Sequence, residues 1–247
     1  MFRLLVSQPI PVLLLIVTLV GFSTLALIRL VVRLIARGKK PLDISSPLSG
    51  MAATAFVFIA ALLSSQIQGD VSTARQSLYH EAAALQMIRL YAEVLPAADQ
   101  AVIGRYLQEY VSLVVTDEWK RMQHEGENRA VRTVLSNLLR QVHEVAAQDI
   151  REALRTAVND LINARVERLR IAADTVPAIT WIVLFCLGVF TKFAVALNHG
   201  DHHQWQRVVG VTVTMLMGLI FIMMLVYDQP YARPDIVSPK TLIEALQ

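Results

Sequence analysis

The sequence predicts an all-α integral membrane protein with four transmembrane helices and a long helical insert between the second and third. Three observations carry this. Of 247 residues, 55% are hydrophobic and only 17% are charged, against about 25% charged in an ordinary soluble domain. Four runs contain no Asp, Glu, Lys or Arg: 25 residues between Arg3 and Arg29, 26 between Asp43 and Asp70, 17 between Asp174 and Lys192, and 20 between Arg207 and Asp228. No stretch alternates apolar and polar residues with the period of a strand.

A membrane helix needs about 20 mostly apolar residues, and in lipid its backbone must be satisfied within the helix. The spans are therefore placed at 9–35, 48–68, 176–197 and 207–227, the third reaching past Lys192. The first is read as a retained span rather than a cleaved leader, because its apolar stretch is longer than a signal peptide's and no Ala-x-Ala site follows. It runs into Arg29, Arg33 and Arg37, which share one helical stripe. Such a stripe either snorkels at the interface or forms a ring that attracts anionic lipid or anions.

Residues 69–173 form the insert, with 13 Lys/Arg and 14 Asp/Glu. The second span meets no proline before Pro96 and is expected to continue out of the membrane to that point. A second helix is expected over 97–123, a loop over 124–128, and a third helix from Arg129 to Ala173, about 65 Å long at 1.5 Å per residue. The apolar series Val131, Leu135, Leu138, Val142, Val145 and then Ile150, Leu154, Ala157, Leu161 has helical spacing but is irregular between Val145 and Ile150. The whole chain, 1–247, reads as one membrane domain whose insert stripes face each other or other subunits. Four spans place both termini and the insert on one side. Basic residues flank the spans on both sides, so charge alone does not orient the chain.

One cysteine, Cys186, excludes an intrachain disulfide and any Cys-based metal cluster. It lies mid-span and is expected to be inert. A net charge of +3 gives no reason to expect nucleic acid. No phosphate-binding glycine loop, HExxH or GxSxG is present, so no catalytic residue is nominated, and neither enzyme nor cofactor is expected. His199, Asp201, His202 and His203 cluster in the last loop. They are weak metal candidates, since adjacent histidines seldom reach one ion, and the plainer reading is a solvated loop. Lys192, within the third hydrophobic stretch, is expected to snorkel toward the nearby loop.

The second span has the most pore-like character. Thr54, Phe58, Leu62 and Ser65 lie on one stripe, pairing hydroxyls with bulky apolar groups that can gate by dewetting. The alternative is plain helix packing through small residues.

Three further stretches carry a family resemblance: Glu81-Ala-Ala-Ala-Leu85; Tyr110 followed by Asp117-Glu118-Trp119; and Leu225-Val-Tyr-Asp228-Gln-Pro230-Tyr231 with Val237-Ser-Pro239. In these the chain resembles the bestrophin-like family of bacterial and plant membrane proteins, although Gln229 stands where an Arg is often found. The resemblance implies a four-span protomer in a homo-oligomer, by analogy a pentamer, sitting multi-pass in the lipid bilayer of the bacterial inner membrane. It also implies a cytoplasmic insert and conduction of ions; the basic stripe and the absence of acidic residues in the spans favour anions. It does not bring calcium gating, because the acidic clasp of the animal channels is missing. Glu81, Glu118, Trp119, Asp228 and Pro230 are expected to act structurally: Glu118 and Trp119 anchoring one helix on another, Asp228 accepting from freed turn amides or pairing with an Arg. The rival reading is a non-conducting scaffold or signalling protein whose insert binds a partner. An alternating-access transporter comes third, since the two span pairs show no inverted repeat.

Overall fold

A computed structural model describes residues 9–35, 46–122, 126–197 and 203–247. The described residues contain no strand. In chain order the helices are α1 (Ile10–Ile35), α2 (Ser46–Ala92), α3 (Ala97–Leu113), α4 (Arg129–Glu144), α5 (Gln148–Ala173), α6 (Ala178–Leu197), α7 (His203–Tyr227) and the short α8 (Lys240–Glu244). α3 runs on through a π-helical turn, Val114–Glu118, into Trp119–Arg121. Helices α1, α2, α6 and α7 are each long and apolar enough to cross a membrane, at the positions the charge-free runs predict. At 1.5 Å per residue, α2 is about 70 Å long, more than twice the ~30 Å hydrocarbon thickness.

The chain forms two compact units. The first comprises residues 1–68 and 176–228. Its core is built from Phe56, Ala60, Leu63 and Ile67 of α2 with Trp181, Leu184, Met217 and Met224 of α6 and α7. α1 lies against α6 and α7. Its backbone comes close to α7 because both helices are bare at the crossing. A Cβ on Gly21 would stand 3.1 Å from the Thr214 methyl, and one on Gly210 3.1 Å from the Arg29 guanidinium and 3.2 Å from Leu25. Small residues allow this approach where helices pack in lipid. Leu14, Leu15, Leu19, Leu27 and Leu30 of α1 are exposed, as expected of an outer helix that is apolar all round.

The second unit comprises residues 69–175 and 229–247. Its core draws on Leu78, Leu85 and Ile88 of α2, Ile103 and Leu107 of α3, Leu135 and Leu138 of α4, Leu154 and Leu161 of α5, and Leu242 of α8. The insert's apolar stripes thus bury one another.

Two boundaries correct the expectations. α2 ends at Ala92, and Pro96 serves as N-cap of α3. The single helix expected over 129–173 is two, with Val145 and Ala147 in extended backbone between them. The phase slip explains the break. A continuous helix would turn Ile150, Leu154 and Leu161 about one residue, or 100°, away from the Val131–Val142 stripe. Breaking the helix returns both stripes to one core, and Arg151 Nη1 donates to the freed Val145 carbonyl at 3.2 Å. A non-helical stretch over 174–177 likewise separates α5 from α6.

Candidate pore face and a buried charge cluster

Within the first unit, α2 has two faces. Ala52, Phe56, Ala60, Leu63 and Ile67, spaced by three or four residues, are buried. Thr54, Phe58, Leu62 and Ser65 lie on the opposite side and are exposed, Phe58 by 63% and Leu62 by 57%. Thr54 Oγ1 donates to its own Gly50 carbonyl at 2.9 Å, so its lone pairs, not its proton, face outward. Nothing in this protomer covers the stripe among the described residues.

Basic groups collect where α1, α6 and α7 meet. Arg29 is half-buried and its Nη2 donates to the Arg207 carbonyl at 3.3 Å. Arg33 is exposed. Arg37, His199, Asp201 and His202 lie outside the described residues, and His203 opens α7. The described residues include no group of three or more side chains able to hold a metal ion. Lys192 does not snorkel. It is only 8% exposed, and its Nζ donates to the Gly21 carbonyl at 3.2 Å and to Thr24 Oγ1 at 3.1 Å. Cys186 is free and exposed. Asp228 makes a contact across the unit: its Oδ1 accepts from the Val176 amide at 3.3 Å, just before α6.

The second unit holds a cluster that reading residues one by one did not assemble. Sequence gave no reason to place Glu81 and Glu118 together, yet Arg168 joins them. Its Nε and Nη2 donate to Glu81 at 2.7 and 3.2 Å, and Nη2 also reaches Glu118 Oε1 at 2.8 Å. Arg165 grips Glu118 with Nε at 3.1 and 3.2 Å and reaches the more exposed Glu127 at 3.3 Å. Tyr110 donates to Glu81 Oε1 at 2.6 Å. The Arg168 guanidinium carbon lies 5.7 Å from the Trp119 ring centroid, a cation–π distance. Glu81, Glu118 and Arg168 are fully buried.

The π-helical turn positions Glu118. In an α-helix, steps of four residues drift by 40° each. The wider turn keeps Tyr110, Val114, Glu118 and Met122 in line, and all four are buried. Asn128 closes the site: its backbone amide donates to Glu118 Oε2 at 3.3 Å, and its side chain caps α4 through the Ala130 amide at 2.8 Å.

Two carboxylates and two guanidiniums balance in charge, and the polar atoms saturate one another. Burial opposes the Glu118 charge, but hydrogen bonds and charge from Arg165 and Arg168 outweigh it and hold the carboxyl below its ordinary range. Burial likewise works against the charge of Arg168, and its carboxylate partners, Glu81 foremost, outweigh it and raise its pKa. Burial, then the Glu81 charge, push the Tyr110 phenol well above its usual value. Carboxylates so occupied are poor acid–base catalysts; the cluster ties α2, α3 and α5 together.

The C-terminal segment docks beside it. Tyr231 forms a hydrogen bond with Ser77 Oγ at 2.9 Å, donates toward the Ala74 carbonyl at 3.2 Å, and meets Trp119 edge-on at 5.5 Å. Pro230 is buried next to it. Burial pushes the Tyr231 phenol up to about 12. Because the folded protein holds this proton more tightly than a free tyrosine near 10, the associated stability is complete below pH 10. It drains away as pH rises from 10 toward 12. The melting temperature should fall more steeply over that interval in the parent than in Tyr231→Phe, measured by thermal denaturation in detergent.

The family model of the Bestrophin-like domain matches residues 15–242. No curated protein matches the sequence. Among solved structures, a crystal structure of a point variant of a bacterial bestrophin homologue from Klebsiella pneumoniae is similar with a TM-score of 0.71, at 13% identity, over 97% of this chain and 98% of that one. A second variant of a homologue from that organism gives 0.73 at 10% identity over 94% and 98%. A variant described as a membrane protein gives 0.75 at 12% identity over 92% and 95%.

Proposed function

The chain belongs to the bestrophin-like family, and from that premise we propose that copies of it assemble into an anion-conducting channel, the second span of each lining a shared axial pore. The observation that carries this reading is the two-faced α2: one stripe is spent on the protomer's own core, while the stripe of Thr54, Phe58, Leu62 and Ser65 is left uncovered. A four-span protomer offers little room for an internal water path, so a route between copies is the natural one. The pentamer implied by family resemblance is the stoichiometry proposed, in the bacterial plasma membrane with the insert cytoplasmic.

Three features favour anions. In the spanning helices of the first unit, α1, α6 and α7, the described residues carry no acidic side chain. Arg29, Arg33, Lys192 and Arg207 supply positive charge. Phe58, exposed on the same stripe, would add the positive ring edge of the aromatic quadrupole if turned edge-on to the axis. Purified protein in planar bilayers under a KCl gradient should give currents that reverse near the chloride equilibrium potential. Reversal near that of potassium would contradict anion selectivity, and silence from assembled protein would contradict conduction.

A second reading, a non-conducting scaffold, is favoured by a groove of about 860 Å³ between α2 and α5 in the second unit, lined by Thr73, His80, Met87, Asn163 and Glu167 among others. A stoichiometric protein co-purifying with the silent oligomer, and released by substitutions in this groove, would support it.

A further inference from the structure

In the first unit a crevice of about 330 Å³ opens between α1, α6 and α7. Apart from Thr24, Lys192 and Thr214, every residue lining it is apolar. The polar three gather at one end. Leu13, Trp181 and Leu225 line the other. From Leu13 to Thr24 along α1 is about 16 Å at 1.5 Å per residue. That is about half the ~30 Å hydrocarbon thickness of a bilayer, the depth of one leaflet.

Among the described residues no acidic side chain balances the charge at the polar end. Asp228 is the one acidic side chain among the described residues of this unit. It lies at the far end of α6 from Lys192, about 24 Å away along the helix. The Lys192 Nζ has two acceptors, the Gly21 carbonyl and Thr24 Oγ1, both neutral and both beyond 3.0 Å. An ammonium has three donors, and a buried cation is costly unless paired. Arg29 shares a narrow adjoining cleft with Lys192, so positive charge continues past the end of the crevice.

We propose that this crevice binds a long-chain fatty acid, its hydrocarbon chain lying along α1, α6 and α7 and its carboxylate on the Lys192 Nζ. The apolar walls suit one alkyl chain. The volume, at the small end for ligand sites, suits a single chain. The 8% exposure of Lys192 suits a compact carboxylate rather than a glycerophosphate headgroup. A charge-assisted bond to the third ammonium proton is the contact that the neutral acceptors do not supply. The site is independent of whether the protein conducts.

Trp181 at the apolar end provides the readout. Purified full-length protein in nanodiscs is titrated with a fatty acid dibrominated along its chain, and the quenching assigned to Trp181 is the signal lost in Trp181→Phe. The expected result is saturable quenching by the acid, with its methyl ester at least tenfold weaker. Lys192→Met should weaken the acid to the level of the ester, and Arg33→Met should leave it unchanged. If Lys192→Met does not assemble, the comparison of acid with ester on the parent still decides. Equal, unsaturating quenching by acid and ester (ordinary lipid contact only), saturable acid binding indifferent to Lys192→Met, or no quenching of Trp181 would each overturn the proposal.

Discussion

Arg168→Met is expected to lower the melting temperature of the purified protein by about 10 °C or more, the largest loss from any single substitution in the second unit. Among the described residues Arg168 is the only direct link between Glu81 and Glu118, and all three side chains are fully buried. Methionine keeps the aliphatic stem only as far as the Nε position; among the described residues it leaves Glu81 with only the Tyr110 hydroxyl, and it strips Glu118 of one of its two guanidiniums. Removing one partner of a buried ion pair costs about 3–5 kcal/mol because the other charge stays behind. Each kcal/mol shifts the midpoint by roughly 2–4 °C in a chain of this size. Adding Glu81→Leu should recover part of the loss, since it removes the orphaned carboxylate. If the double variant is as unstable as the sum of the two singles, the cluster is not a coupled unit. The partial rescue also separates stranded charge from lost packing, which a second truncation would only worsen.

Phe58→Ala is expected to raise unitary conductance several-fold while leaving the melting temperature within about 1–2 °C of the parent. The ring is 63% exposed in the protomer, so its removal opens no cavity in the core, and exposed positions away from special features usually change stability by less than about 0.5 kcal/mol. In an oligomer the substitution acts once per copy around one axis. A hydrophobic constriction that dewets would lose its narrowest groups all at once. Phe190→Ala, an exposed phenylalanine on α6, is the control and should leave conductance unchanged. A fall in the Phe58→Ala melting temperature comparable to that of Arg168→Met would mean that the ring is a packing group between copies and not a pore constriction.

What sequence made legible follows from how strongly the solvent constrains each feature. Lipid permits only helices whose apolar residues run the full span, so the four charge-free runs located α1, α2, α6 and α7 closely. The break between α4 and α5 was half visible: the slip between Val145 and Ile150 marked it, but a slip alone does not say whether a helix bends, unwinds or rotates. The charge cluster also left a trace. Arg165 and Arg168 continue the buried series Leu154, Val158, Leu161 on α5, and Glu81 falls between Leu78 and Leu85 on α2. Charged residues at core positions announce a buried polar site. Their pairing could not be read, because Glu81 and Arg168 are 87 residues apart and Glu118 and Arg165 are 47 apart. Only the tertiary fold decides which meets which. The π-helical turn that aims Glu118 has no compositional mark in Val114-Val-Thr-Asp-Glu118. Lys192 looked free to reach the interface because its acceptors, Gly21 and Thr24, belong to a helix more than 160 residues earlier.

The most direct test of the central claim is thiol block of single-cysteine channels. Cys186 is the only cysteine, so a Cys186→Ser background carries one new thiol at a time at Thr54, Phe58 or Leu62, with Ile182 on the exposed face of α6 as control. Currents in planar bilayers should be blocked irreversibly by a charged, membrane-impermeant thiol reagent at all three α2 positions and untouched at Ile182. Full current after treatment at all three α2 positions, with block at Ile182 instead, would place the water path elsewhere.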